Sequence, residues 1–273
     1  MNDTISILMA CYNCEATLKK AVDSILAQTY TNWVMICCDD GSTDRTLSIL
    51  QDYKQKYPDK FVDLQNESNR HLPYSLNRCI ETAKTEIVAR MDADDWSTPD
   101  RLEKQLKFMK EHPEADLVGT GICVSDGENV LTTIVQKAEP EPVDMLHANC
   151  FSHATIMTYK RVYDSLGGYS LNPKVERCED IELWSRFFEK GYKGINMPDL
   201  LYYILEDENA VKRRNFRNRL NTAYTYRLIY KRLHIHGVKA FVRPYIQILT
   251  YFIPMGLYNK LHIWNMKKNK NEQ

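Results

Sequence analysis

The stretch Glu86-Ile87-Val88-Ala89-Arg90-Met91-Asp92-Ala93-Asp94-Asp95 decides how the chain is read. An apolar run of strand length stops at a cluster of carboxylates. The same arrangement occurs earlier, where Trp33-Val34-Met35-Ile36-Cys37-Cys38 runs into Asp39-Asp40-Gly41. Short apolar runs bounded by polar turns read as buried strands. Ser6 to Cys11 and Phe61 to Leu64 are two more candidates. Helical spacing fills the gaps: Leu18, Ala21, Val22, Ile25 and Leu26; Asp44 to Tyr57; Ser75 to Ala83; and a helix to about His112 with Pro99 in its first turn. Strands alternating with helices over roughly 110 residues predict an α/β layer on a mostly parallel sheet. Such sheets bind ligands beyond the carboxyl ends of their strands. Both acidic clusters fall there, so one site is expected.

Beyond Pro113 the pattern is less regular. Asp116 to Val124 and Val130 to Val135 read as paired strands around the turn Asp126-Gly127-Glu128-Asn129. Ala154 to Tyr159 is a further strand, with a short helix ending at Gly167-Gly168. Glu179 to Lys190 reads as a helix stopped by Gly191.

The chain has 273 residues, with 36 Lys and Arg against 36 Asp and Glu. Residues 209–273 hold fourteen of those bases and a single acid, Glu272, which leaves 22 bases and 35 acids for residues 1–208. The hydrophobic fraction of 44% excludes a disordered chain. The opening Met1 to Ile5 lacks the basic start of a signal peptide. Free thiols in the cytoplasm are therefore expected for the eight cysteines. Cys11-Tyr12-Asn13-Cys14 is formally a C-x-x-C pair, but no second pair accompanies it at zinc spacing, so it is expected to pack.

Neither G-x-x-x-x-G-K-[ST] nor G-x-G-x-x-G is present, which argues against a P-loop nucleotidase or a dinucleotide enzyme. Gly119-Thr120-Gly121 lies inside a strand candidate and reads as structural. Asp92 and Asp94 sit two residues apart on a turn and repel unless a cation lies between them. Mg²⁺ or Mn²⁺ suits such oxygen donors and shares its shell with substrate phosphates. A solvated turn with a helix cap is the alternative.

Five stretches occur in order: Ser6 to Asn13, Ser24 to Trp33, Asp39 to Asp44, Ala89 to Asp95 and Cys178-Glu179-Asp180-Ile181-Glu182-Leu183-Trp184. Together they resemble the glycosyltransferase family 2 pattern, especially its bacterial surface-polysaccharide members, over about residues 5–205. The resemblance implies the A-type glycosyltransferase fold, a Rossmann-like sheet that uses a nucleotide-diphosphate sugar and inverts the anomeric centre. Tyr12 matches a position flanking the nucleobase, and Asp40 the aspartate that bonds it, usually uracil, hence a UDP-sugar. Asp92 matches a residue near ribose and diphosphate, and Asp94 the metal ligand, with Asp92 beside it. Asp180 matches the general base, while Glu179 holds the acceptor or caps the helix. Adjacent carboxylates at that point should raise one another's pKa. His153 lies where related sequences often have a histidine, against donor phosphate or acceptor. Arg90 and Arg101 flank the acidic cluster and are expected to balance its charge.

Two departures stand out. Many members carry Arg-x-His after the last sheet strand, whereas Leu201 to Glu208 has neither residue; Lys212 or Arg213 are the candidate substitutes. No Q-x-x-R-W is present, which argues against a processive synthase.

Residues 1–208 are thus expected to form the catalytic domain, and 209–273 a basic, amphipathic helical extension. In the latter, Phe216, Leu220, Tyr224 and Leu228 recur at helical spacing among arginines, a membrane-surface signature. From Val238 to Trp264 the chain is apolar but interrupted, and its uncharged run Pro244 to Asn259 is too short to span. Lys267, Lys268 and Lys270 add charge to the tail. The expected enzyme is peripheral at the inner face of the cell membrane. Its substrates are a nucleotide sugar and a glycan acceptor, lipid-linked in this reading, and no nucleic acid is involved. The alternatives are a sugar nucleotidyltransferase, which usually needs a glycine-rich start that residues 8–20 lack, and a non-catalytic membrane-bound scaffold of the same fold.

Overall fold

The computed structural model describes residues 3–146, 149–206 and 215–252. Four parallel strands form its first half: β1 (Ile5–Cys11), β2 (Trp33–Asp39), β3 (Phe61–Gln65) and β4 (Ile87–Arg90). Helices α1 (Leu18–Leu26), α2 (Thr46–Lys56) and α3 (His71–Thr82) connect them. There follow β5 (Trp96–Ser97), α4 (Arg101–Glu111), β6 (Leu117–Ser125), β7 (Val130–Ile134), β8 (Met157–Tyr159), α5 (Lys160–Leu166), α6 (Glu179–Glu189) and β9 (Gly194–Leu205). The sheet order is β3-β2-β1-β4-β8-β6-β9-β5, with β7 paired to β6. The expected parallel sheet therefore holds through β4. Beyond it, β8 runs antiparallel to both β4 and β6, while β9 lies parallel to β6.

Successive side chains of a strand face opposite ways, and β1 feeds two cores. Ile7 and Met9 join Val22, Ile25 and Trp33 on one face. Leu8 joins Ile36, Leu76, Val88, Trp184 and Phe187 on the other. Each such fully buried side chain contributes roughly 1.5–3 kcal/mol. All eight cysteines are free, and only Cys14 is not buried.

Several expected boundaries move for local reasons. Pro99 stands outside α4, because its carbonyl accepts the Thr29 N–H at 2.8 Å. Asp44 stands outside α2, its carboxylate taking the Thr46 N–H at 2.9 Å. Helix α3 begins four residues before Ser75, and Pro73 fits its first turn, where no helical N–H is required. His153–Thr155 is a 3₁₀ turn rather than strand, closed by Thr155 on the Ser152 carbonyl. Strands β5 and β9 add to those expected from the sequence.

Two helices follow: α7 (Phe216–Arg232) and α8 (Val238–Leu249). Ala223, Thr225, Ile229 and Tyr230 of α7 are buried, and Ile229 and Tyr230 share the core of Trp184. Buried Glu182 on α6 accepts from Arg186 at 2.7 Å and from Arg232 of α7 at 2.8 Å. Phe216, Leu220 and Tyr224 face outward, as do Val238, Phe241, Tyr245 and Leu249. Among the described residues no helix is long and apolar enough to cross a membrane. The tail lysines and Trp264 lie outside the described residues.

Candidate active site

The strand ends gather the residues singled out in the sequence. After β1, Asn13 turns with φ 48°, and its side chain accepts the Thr43 N–H at 2.8 Å. The Cys14 N–H donates to Thr46 Oγ1 at 2.9 Å and the Glu15 N–H to Asp44 at 3.1 Å. The loops after β1 and β2 are thereby fastened together, and they present Tyr12, which is 47% exposed. Asp40 is buried, and its Oδ1 accepts from Asn66 Nδ2 at 2.6 Å and the Arg70 N–H at 2.9 Å. Gly41, at φ 70°, cannot be replaced cheaply: a Cβ there would come within 2.7 Å of the Ser68 backbone.

The acidic turn follows β4. Ligand atoms of Asp92, Asp94 and Asp95 all lie within 4.8 Å of one another, the one such group among the described residues. Arg90, fully buried, grips Asp92 with two nitrogens at 2.6 and 3.0 Å. Arg101 feels the charges of Asp92 and Asp95 but makes its hydrogen bonds elsewhere. It stacks on Tyr202 and donates to Gln105 and to the Arg90 carbonyl, so it braces the backbone instead. The end of β9 clamps the turn: the Asp92 N–H donates to Tyr202 Oη and the Leu205 N–H to Asp95 Oδ1, both at 3.0 Å. Burial, together with the charges of Asp92 and Asp94, pushes the Asp95 carboxyl up to about 8. Three carboxylates so crowded form a hard-oxygen donor set of the kind Mg²⁺ and Mn²⁺ prefer.

Glu179 and Asp180 open α6, whose first turn holds no base. Asp180 Oδ2 accepts from Asn149 Nδ2 at 2.8 Å. Burial raises the Asp180 carboxyl, against the opposing pull of the Ile181 N–H, Asn149 and Arg90. Burial also raises Glu179, with the Asp180 charge adding to it. Desolvation rather than mutual repulsion is thus the main cause, which corrects the sequence-based expectation. Glu179 Oε2, Asn149 Oδ1 and Arg90 Nε are buried without a hydrogen-bond partner among the described residues. Buried polar atoms are seldom left so, and a ligand would satisfy Glu179, which lines the adjoining cavity.

A cavity of about 590 Å³ lies between the loops after β1 and β2 and the mouth of α6, lined by Tyr12, Asp40, Arg70, Arg177, Glu179 and Arg217, among others, while Asp92, Asp94, Asp95 and Asp180 are not among its lining residues. His153 is not among its lining residues. It shares a 2.6 Å hydrogen bond with Tyr169 Oη and packs edge-on to Trp184, and burial holds it neutral. The run from Leu201 is the end of β9 itself, and Lys212 and Arg213 lie outside the described residues. The cations actually seen at the cavity are Arg70, Arg177 and Arg217. Sequence reasoning missed these, as well as Asn149 and Tyr202.

Comparison with known proteins agrees with this geometry. Residues 6–167 match the family described as "Glycosyl transferase family 2". The Bacillus subtilis (strain 168) protein named "Putative glycosyltransferase EpsE" is 38% identical over 270 residues, 97% of this chain and 96% of that one. The Escherichia coli UDP-Glc:alpha-D-GlcNAc-diphosphoundecaprenol beta-1,3-glucosyltransferase WfaP is 25% identical over 278 residues, 98% of this chain and 99% of that one. The mannosyltransferase PcManGT from Pyrobaculum calidifontis, solved with GDP-Man and Mn²⁺, shares the fold with a TM-score of 0.65. That likeness covers 95% of this chain and 71% of that one at 20% identity. The family match spans more than half of the chain, and the likeness to EpsE runs along nearly all of it: the chain belongs to glycosyl transferase family 2.

Proposed function

We propose that the protein transfers a sugar from a nucleotide-diphosphate sugar, a UDP-sugar in the first instance, to a lipid-linked glycan acceptor, with inversion at the anomeric carbon. The observation that carries this reading is the pairing of two carboxylate sites through one buried cation: Arg90 grips Asp92 and also pulls on Asp180. A donor is held on one side and an acceptor hydroxyl deprotonated on the other.

Asp40 and Tyr12 line the cavity where the base of the nucleotide would sit, a carboxylate for an N–H donor and a ring for stacking. Asp94 and Asp92 would hold the divalent ion, which supplies charge neutralisation for the departing diphosphate. Asp180 takes the proton from the acceptor hydroxyl as its oxygen bonds to the anomeric carbon and the bond to the diphosphate oxygen breaks. The nucleoside diphosphate leaves with that bonding pair. A raised pKa suits a base working near neutrality. Glu179, with one buried oxygen free of partners among the described residues, is placed to bind another acceptor hydroxyl. His153 acts from behind, through the aromatic packing around Trp184.

Names of relatives support the biological setting. WfaP is named for a UDP-Glc donor and a diphosphoundecaprenol-linked acceptor, which favours a role in surface-polysaccharide assembly. The outward Val238, Phe241 and Leu249 of α8, with Lys239 on the same helix, favour peripheral attachment at the cytoplasmic face of a membrane. Residues 1–208 would then be the catalytic unit and 209–273 the attachment region.

The test is a panel of UDP- and GDP-sugars with Mn²⁺ and polyprenyl-diphosphate-linked sugars as acceptors. Release of nucleoside diphosphate and the product anomer by NMR are recorded. A product of inverted configuration is expected. Retention of configuration, or pyrophosphate released from a nucleoside triphosphate instead, would overturn the proposal.

A further inference from the structure

Helix α7 leads from the cavity outward. Arg217, in its first turn, lines the cavity next to Arg177. Leu220, Tyr224 and Leu228 follow at steps of three and four, which places them along one face. Leu220 and Tyr224 are 43% and 38% exposed. With Pro244, Tyr245 and Ile248 of α8 they line a second, apolar groove of about 620 Å³. Helix α7 links the two, with Arg217 on the cavity and Leu220, three residues on, in the groove. Asn221 Nδ2 donates to the Pro173 carbonyl at 3.2 Å, Lys174 lies 5.5 Å over the Tyr224 ring, and Pro173 itself lines the cavity. From Arg217 to Leu228 the helix rises about 16 Å. No acid occurs in α7, and Arg227 and Lys231 edge the groove.

A cationic seat about one helical turn from an apolar track fits an amphiphile with an anionic head. We propose that α7 is the acceptor-reading element: Arg217 and Arg177 hold a phosphate of a lipid-phosphate acceptor, and the Leu220–Tyr224–Leu228 stripe with α8 holds its hydrocarbon chain. This rests on the glycosyl transfer proposed above and deepens it. Guanidinium groups bind phosphate oxygens through paired hydrogen bonds. The present partner of Arg217 is Glu176 at 3.8 Å, an exposed pair of little strength that a phosphate readily replaces. The same seat would also accept a donor diphosphate, and the test separates the two.

The full chain is titrated calorimetrically with farnesyl diphosphate, inorganic pyrophosphate and farnesol. Farnesyl diphosphate is expected to bind at least about tenfold more tightly than either fragment. Arg217→Ala should reduce it to the level of farnesol, and Leu220→Asn with Leu228→Asn to the level of pyrophosphate. Circular dichroism checks the fold; if the double variant unfolds, the exposed Leu220→Asn carries the test alone. Equal affinity for farnesyl diphosphate and pyrophosphate overturns the proposal. Competition by UDP does so too, because the arginines would then serve the donor. So does a Leu220→Asn variant that loses only its binding to phosphatidylglycerol vesicles, since the stripe would be a membrane contact. Donor turnover by the unaltered protein reports the glycosyl transfer separately, so the two readings fail independently.

Discussion

The acidic turn at residues 92–95 and the mouth of α6 at Glu179 and Asp180 both gather carboxylates around one reaction, yet different forces hold them. On the turn, three acids crowd within 4.8 Å, and the Arg90 guanidinium is bound to Asp92. At the helix mouth, a free N–H of the first turn and the Asn149 amide stabilise Asp180 with partial charges. The turn therefore crowds carboxylate against carboxylate, whereas desolvation dominates at the mouth. Crowded carboxylate oxygens suit a cation; a desolvated carboxylate suits a proton.

The sharpest way to break this contrast is Asp180→Asn. Removal of a general base costs on the order of 10²–10⁴ in rate. Single-turnover transfer should fall by that factor, while Mn²⁺ still stabilises the protein and the thermal midpoint holds. Normal transfer by a folded variant would remove the mouth from the chemistry.

Arg90→Met tests the shared element. It leaves Asp92 without its buried partner, and breaking such a pair costs about 3 kcal/mol. Urea unfolding should show that loss. An unchanged midpoint would mean that Tyr202 and Leu205 alone hold the turn.

Asp94→Asn addresses the crowding of carboxylates on the turn. A ligand that binds only the folded state, at a hundred times its dissociation constant, adds about 2.7 kcal/mol. The wild-type protein should gain that with Mn²⁺ in a thermal scan and the variant should gain much less. Equal gains would place the ion elsewhere.

The same contrast explains what could be read from the sequence. Asp39-Asp40 and Asp92-Asp94-Asp95 stand out because an apolar strand meets charge without transition, and that pattern is local. The clamp on the turn is not local: Tyr202 lies 110 positions from the residue it holds. Strand β9 escapes periodicity because Pro198-Asp199 interrupts it, where its register against β6 also shifts. Arg101 reads as a charge near acids, but its fully buried guanidinium is spent on Gln105 and a carbonyl. On α7 the expected apolar stripe is present, but the more polar face carrying Asn221 and Thr225 is the one that packs inward. Spacing reveals a stripe; only packing reveals which side meets the core.

Asn149 gives the smallest and most discriminating prediction. It comes from an irregular segment and carries no motif, yet its amide donates to the proposed base. That bond favours the carboxylate, so its loss in Asn149→Ala must raise the Asp180 pKa further, with Arg90 and the Ile181 N–H left to oppose burial. Activity requires the deprotonated form and is lost as pH falls through that pKa. The acidic limb of the pH–rate profile should therefore move to higher pH, by about one unit or less for a single hydrogen bond of ordinary strength. The plateau at high pH should fall little. A plateau that drops while the limb stays put would show that Asn149 orients the acceptor rather than the base, and the Ile181 N–H and Arg90 would then be what opposes burial at Asp180.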